Sequence, residues 1–162
     1  MTTLQVITTP GASDANAYAG LADAEAYALT CPIKGVWATS DDATKAASLV
    51  QATRLLDGLS WAGYRTHPLT QSLQWPRLYV YDREGYAISA DGIPKKIMEA
   101  TCEFAMRLVG DDRSADSGGL SPETVKIGSL SMGPTRRRPI PSSVLEMVRD
   151  YLGTTGATVV RS

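Results

Sequence analysis

The sequence predicts a mainly α-helical protein: a small helical bundle with a β-hairpin or strand excursion and an extended C-terminal arm ending in a helix. Three observations carry that class. Two long segments, 41–59 and 94–109, repeat apolar residues at helical spacing. A turn-rich, aromatic stretch separates them, and the composition turns polar and small after Gly110. The 162 residues suit one ordinary domain with extended pieces, read as a core over 1–110, a flexible linker over 111–123 and a strand, arm and helix over 124–162.

Taken in order, residues 2–19 read as loop with a short strand at 4–7, ended by Pro10-Gly11. A first helix is expected over 21–29, where Leu21, Ala24, Ala28 and Leu29 recur at helical spacing before Pro32 stops it. Ser40-Asp41-Asp42 opens the second helix with a capping oxygen and with carboxylates where the dipole favours them. Ala46, Leu49, Val50, Thr53, Leu56 and Leu59 form its apolar stripe, which Ala52 and Leu55 broaden. A stripe that wide implies more than one neighbour.

From Ser60 to Pro76 the chain is an aromatic, polar loop, and 78–81 is expected to pair with 86–88 across Asp82-Arg83-Glu84-Gly85. Asp91-Gly92-Ile93-Pro94 leads into the third helix, with proline in the first turn, where a missing N–H costs nothing. Ile97, Thr101, Phe104, Ala105 and Leu108 share one face, and Glu103 is placed to pair with Arg107 one turn on. Beyond the linker, 125–132 reads as a strand with a bulge at Gly128-Ser129, where the apolar phase changes. Ser143-Val144-Leu145-Glu146 has the pattern of a capping box, opening a last helix that ends near Leu152 with Gly153 beyond it. Val144, Leu145, Val148 and Leu152 give that helix an apolar edge, a candidate docking surface for another subunit or for its own domain.

Apolar residues make up 43% of the chain and charged ones 20%, enough for a folded core. A net charge of −1 gives no global attraction to nucleic acid, so a DNA contact would need a local patch. Arg136-Arg137-Arg138 is one, able to track phosphates, meet an acidic partner or simply be solvated. Trp61, Tyr64 and Trp75 with Arg65 and Arg77 make an aromatic and basic group that would either stack bases or pin a long loop to the core.

No catalytic residue, metal site or cofactor is expected. His67 is the lone histidine, in a loop before Pro68 with no triad spacing around it. Cys31 and Cys102 are far apart, which disfavours zinc, and Cys102 falls in a helical apolar pattern as a small buried hydrophobe. There is no phosphate-binding glycine loop. The N-terminal residues lack a signal-peptide pattern, and no run of about 20 apolar residues suits a membrane span, so a soluble, cytosolic chain is expected.

One combination of segments is familiar. Ala46-Ala47-Ser48-Leu49-Val50-Gln51-Ala52-Thr53-Arg54-Leu55-Leu56-Asp57 is followed by Trp61-Ala62-Gly63-Tyr64-Arg65-Thr66 and Gln71-Ser72-Leu73-Gln74-Trp75-Pro76-Arg77. The 82–85 turn, Ile93-Pro94 and Ala100-Thr101-Cys102-Glu103 come next, after a lead-in over 14–27. In that order the chain resembles a phage family labelled DnaT-like single-stranded-DNA-binding, whose similar proteins lie among head genes and look like helical head–tail connectors. The resemblance covers 14–110, with 126–130 as a weaker echo.

It implies no catalytic residue. It implies a neck adaptor in the virion, made in the host cytoplasm, forming a ring of roughly 12 copies between the portal protein and tail or further neck proteins. Packaged DNA would pass through its lumen without sequence-specific contact. Portal, subunit or DNA contacts would fall to Arg136, Arg137, Arg138, Trp75 and Arg77, and docking to the last helix. The family label implies the alternative, a single-stranded-DNA-binding replication accessory. It would stack bases on Trp61, Tyr64 and Trp75 and meet phosphates with Arg65, Arg77 and Arg136 to Arg138.

Overall fold

A computed structural model describes residues 4–32, 35–110, 126–127, 130–131 and 140–153. Four α-helices dominate: α1 (Leu21–Thr30), α2 (Asp42–Asp57), α3 (Lys95–Gly110) and α4 (Ser142–Val148). Two short 3₁₀ turns, Gly35–Thr39 and Arg149–Tyr151, lie before α2 and after α4. The chain is mainly helical, as its periodicity predicts.

Helix α3 is the central element, with α2, α1, α4 and the first 3₁₀ turn packed on it. Its predicted face is buried throughout: Ile97, Phe104, Ala105 and Leu108 meet Leu49, Ala52 and Leu56 of α2 in one core cluster, and Thr101 is buried with its hydroxyl donating to the Ile97 carbonyl. Burying such a face contributes on the order of 8–10 kcal/mol gross, before chain entropy is subtracted. The Pro94 carbonyl accepts the first helical bonds from Ile97 and Met98, so proline sits just ahead of the helix. Arg107 pairs with Glu103 at 2.7 Å as the spacing predicts.

The wide stripe of α2 has two neighbours, α3 and α1. Its start keeps the expected acidic residues, Asp41 at the N-cap and Asp42 in the first turn, but Asp41 makes no side-chain cap bond and Ser40 Oγ donates to the Val36 carbonyl at 2.7 Å. Trp37 is buried in the 3₁₀ turn, with Lys45 Nζ 5.5 Å from its ring centre. Lys45 also pairs with Glu25 of α1 at 2.7 Å, so one lysine joins three elements.

Several local expectations are corrected. Residues 4–7 form no strand, because the Asn16 side chain bonds Ile7 N–H and the Gln5 carbonyl, both at 2.8 Å, where a neighbouring strand would. Within the expected 125–132 strand the described residues form two, β3 (Lys126–Ile127) and β4 (Leu130–Ser131), paired antiparallel, and the bulge expected at Gly128-Ser129 lies outside the described residues. Helix α4 begins one residue before the expected cap, with Pro141 ahead of it and no side-chain cap bond. Gly153 is not left-handed, and its N–H goes to the Ser60 carbonyl at 2.8 Å.

The β excursion carries the expected reversal over 82–85. Asp82 N–H bonds the Tyr86 carbonyl and Ile88 N–H the Val80 carbonyl, both at 2.8 Å, with a bridge between Tyr81 and Ala87. The Asp82 carboxylate accepts the Glu84 and Tyr86 amides. A ladder not foreseen forms on the other side: β1 (Tyr64–Arg65) pairs antiparallel with β2 (Arg77–Leu78).

Cys102 is buried in α3, and burial pushes its thiol from 9.0 up to about 12, while Cys31 is half-exposed. A thiol-specific aromatic disulfide reagent near neutral pH is therefore expected to titrate one cysteine in the native chain and two in urea. Two rapid native equivalents would contradict the packing of α3. The raised thiol pKa favours the folded state fully below pH 9.0 and progressively less up to about 12, because the unfolded chain ionises first. Among the described residues no helix is long and apolar enough to cross a membrane.

Candidate functional surface

The Gln-Trp-Pro-Arg block is a buried clasp. Gln71 accepts a bond from His67 N–H (3.1 Å) and donates to the carbonyls of Leu73 (2.7 Å) and Pro76 (3.1 Å). Asp57, the last residue of α2, accepts the Gln74 amide at 2.7 Å and the Tyr18 hydroxyl. Burial and then the Asp57 charge raise the Tyr18 pKa, so that phenol stays protonated. The peptide bond between Trp75 and Pro76 is cis.

Arg77 is 7% exposed. Its guanidinium donates to the carbonyls of Ala62 (2.6 Å), Gly63 (2.6 Å), Trp61 (3.5 Å) and Gln74 (3.2 Å), and to Gln74 Oε1 (2.8 Å). Burial lowers its pKa, yet a guanidinium keeps its proton in proteins, so the carbonyl dipoles solvate a lasting charge. Trp75 is 1% exposed, edge-on to Trp61 at 5.7 Å and to Tyr151 at 5.8 Å. Trp61 is buried too.

Trp75 and Arg77 thus offer no face to a base, a phosphate or a portal subunit in the single chain. They pin the loop, the structural alternative for that group. Of the aromatic and basic set, Tyr64 is exposed and Arg65 half-exposed, while Arg136, Arg137 and Arg138 lie outside the described residues.

The last helix is also committed at home. Val144 and Val148 are fully buried against α3, with Leu145 and Leu152 partly buried beside them. Leu152 bridges to Trp61, the Tyr151 carbonyl accepts the Ala62 amide at 2.9 Å, and Asp150 pairs with Arg83 at 3.0 Å. Helix α4 is therefore part of the core, not a free docking arm. Its apolar edge completes α3 because α1 and α2 leave one side of that helix open.

What faces solvent is tyrosine. Four of the seven tyrosines, Tyr64, Tyr79, Tyr81 and Tyr86, are exposed, and all lie on the β excursion with exposed Leu78. Alternation explains one: Val80 points into the core, so Tyr81 after it points out, whereas Tyr79 before it is set by its own backbone conformation. That Tyr79-Val80-Tyr81 pattern was visible in the sequence as half a strand, and it is the signal that marks these residues.

The backbone beneath them is unusual. Tyr79 has φ +58°, a left-handed conformation that costs a bulky residue on the order of 1–3 kcal/mol. Gly63, φ +67°, passes so near Leu78 that a Cβ there would run into the Leu78 carbonyl oxygen. The rings of Tyr64 and Tyr79 meet edge to face, centroids 6.4 Å apart and planes at 82°.

The neighbouring cations are engaged: Arg65 Nη1 donates to the Gln71 carbonyl at 3.3 Å and Arg83 pairs with Asp150. No group of three or more His, Cys, Asp or Glu side chains able to hold a metal occurs among the described residues. Chemically, the surface offers aromatic faces and phenol hydroxyls, the equipment of a binding module.

A mainly helical protein with an exposed tyrosine face is thus the class that fold and surface define. A family model described as "Putative DnaT-like ssDNA binding protein" matches residues 2–162, so the chain belongs to that family. That description names single-stranded-DNA binding. No curated protein and no solved structure matches the chain.

Proposed function

We propose that the protein is a non-catalytic module that binds single-stranded DNA through the exposed tyrosines of its β excursion. The observation that carries this reading is the solvent-facing set Tyr64, Tyr79, Tyr81 and Tyr86 on a chain of this family. Stacking a base on an aromatic side chain contributes about 1–3 kcal/mol, and it tolerates any sequence because every base has a π face. Trp61, Trp75 and Arg77 drop out of the contact set because they are buried.

Fluorescence anisotropy with a labelled strand of about 20 nucleotides tests the reading, with micromolar affinity expected for the single strand and weaker binding of the matching duplex. No saturable binding at low salt would remove it.

A second reading, a head–tail connector of a tailed phage, is favoured by the offset cations. With Asp82, Glu84 and Asp150 offsetting Arg65 and Arg83, the tyrosine and leucine face is close to neutral, and tyrosine is enriched where proteins meet proteins. Copies would close a ring of about a dozen subunits between the portal protein and tail or further neck proteins, with packaged DNA passing through. With α4 in its own core, the tyrosine face becomes the candidate for portal or subunit contact. The family description supports the first reading and is silent on the second. Mass spectrometry of purified virions separates them: about a dozen copies per particle is the connector's expected result. A chain missing from virions but abundant in infected cells excludes it.

A further inference from the structure

Tyr79 is held in a conformation that its own burial does not explain. It is 70% exposed, whereas Val80 beside it anchors the segment in the core. An aromatic side chain left in water gains little from the hydrophobic effect, so the burial of its own ring does not offset its left-handed backbone. Asparagine or glycine would meet φ +58° more readily. The absence of a side chain at Gly63 lets β1 approach β2, and next to that contact Tyr79 lies against Tyr64 with both rings largely open to solvent.

We propose that the Tyr64–Tyr79 pair is a base-stacking step that takes unpaired nucleobases by their faces, with few phosphate contacts. This rests on the single-stranded-DNA reading above. Unpaired bases are the fit because in a duplex each base face is already covered by its neighbours. Weak use of the phosphates follows from the charges nearby. Arg83 forms an exposed ion pair with Asp150, half-exposed Arg65 makes one bond to the Gln71 carbonyl, and the carboxylates of Asp82, Glu84 and Asp150 offset both charges around the ring pair. An ordinary single-strand binder adds a basic groove and shows a steep salt dependence. Here the salt slope is shallow and the rings supply the affinity.

The test uses the full chain with oligothymidylate of about 20 nucleotides, once with its natural phosphodiester backbone and once with a neutral methylphosphonate backbone. Tyr64→Ala and Tyr79→Ala are each expected to weaken binding about tenfold or more, and the neutral strand to bind within about threefold of the natural one. Tyr79→Gly separates folding from binding: relieved of the left-handed strain, it is expected to melt no lower than the wild type while losing the same affinity. A wild type that binds the natural strand, with undiminished binding by Tyr64→Ala and Tyr79→Ala, overturns the stacking step and leaves the broader reading standing. So does loss of binding to the neutral strand. A wild type that binds neither strand removes the broader reading itself. If Tyr79→Gly melts well below the wild type, the ring is structural and the proposal falls.

Discussion

Arg77→Ala is expected to lower the unfolding free energy by about 3–5 kcal/mol, a large share of what a domain of this size possesses. The guanidinium is the shared donor for the carbonyls of Trp61, Ala62, Gly63 and Gln74, and its removal leaves buried acceptors unpaired as well as a cavity. Arg77→Lys should recover only part of the loss, because an ammonium has three donors and no planar fork to span both sides of the loop. Urea denaturation followed by far-ultraviolet circular dichroism measures the difference. A DNA-contact arginine would give the reverse pattern, with stability intact and affinity lost. That outcome would return Arg77 to the surface role its place beside the aromatic loop suggests in sequence.

Trp75→Ala comes next, at about 3–5 kcal/mol. The indole is packed edge-on against both Trp61 and Tyr151, so its loss opens a cavity and frees the 3₁₀ turn that follows α4. Trp75→Phe should keep most of the stability, because the buried Nε1–H has no hydrogen-bond acceptor to lose. The two substitutions together separate apolar packing from hydrogen bonding. Thermal melts in which alanine and phenylalanine cost the same would assign the indole N–H a partner after all.

Legibility followed the range of the interactions. The α3 face, the Glu103–Arg107 pair and the burial of Cys102 were readable because each depends on residues three or four apart. The capping box at Ser143 misled, since a capping pattern states what a helix start can use and Pro141 with α3 packing set the start elsewhere. Asn16 was invisible as a strand substitute, its partners Gln5 and Ile7 being reached only after the chain folds back. For the candidate surface, Tyr64 was readable, whereas packing decided that Val80 and not its tyrosine neighbours turns inward, and nothing in the sequence marked Tyr86.

By itself, then, the sequence determined a mainly helical protein, the faces of α2 and α3 that turn inward, and membership in a family that its spaced Gln-Trp-Pro-Arg block already suggests. The tertiary structure decided which aromatic residues are scaffold and which are surface, and that α4 completes the core of its own chain. The physical reason is that periodicity reports a side chain's direction relative to its own element. Whether a tryptophan or an arginine is buried depends on what arrives from elsewhere, here the carbonyls of 61–63 and the ring of Tyr151 over Trp75.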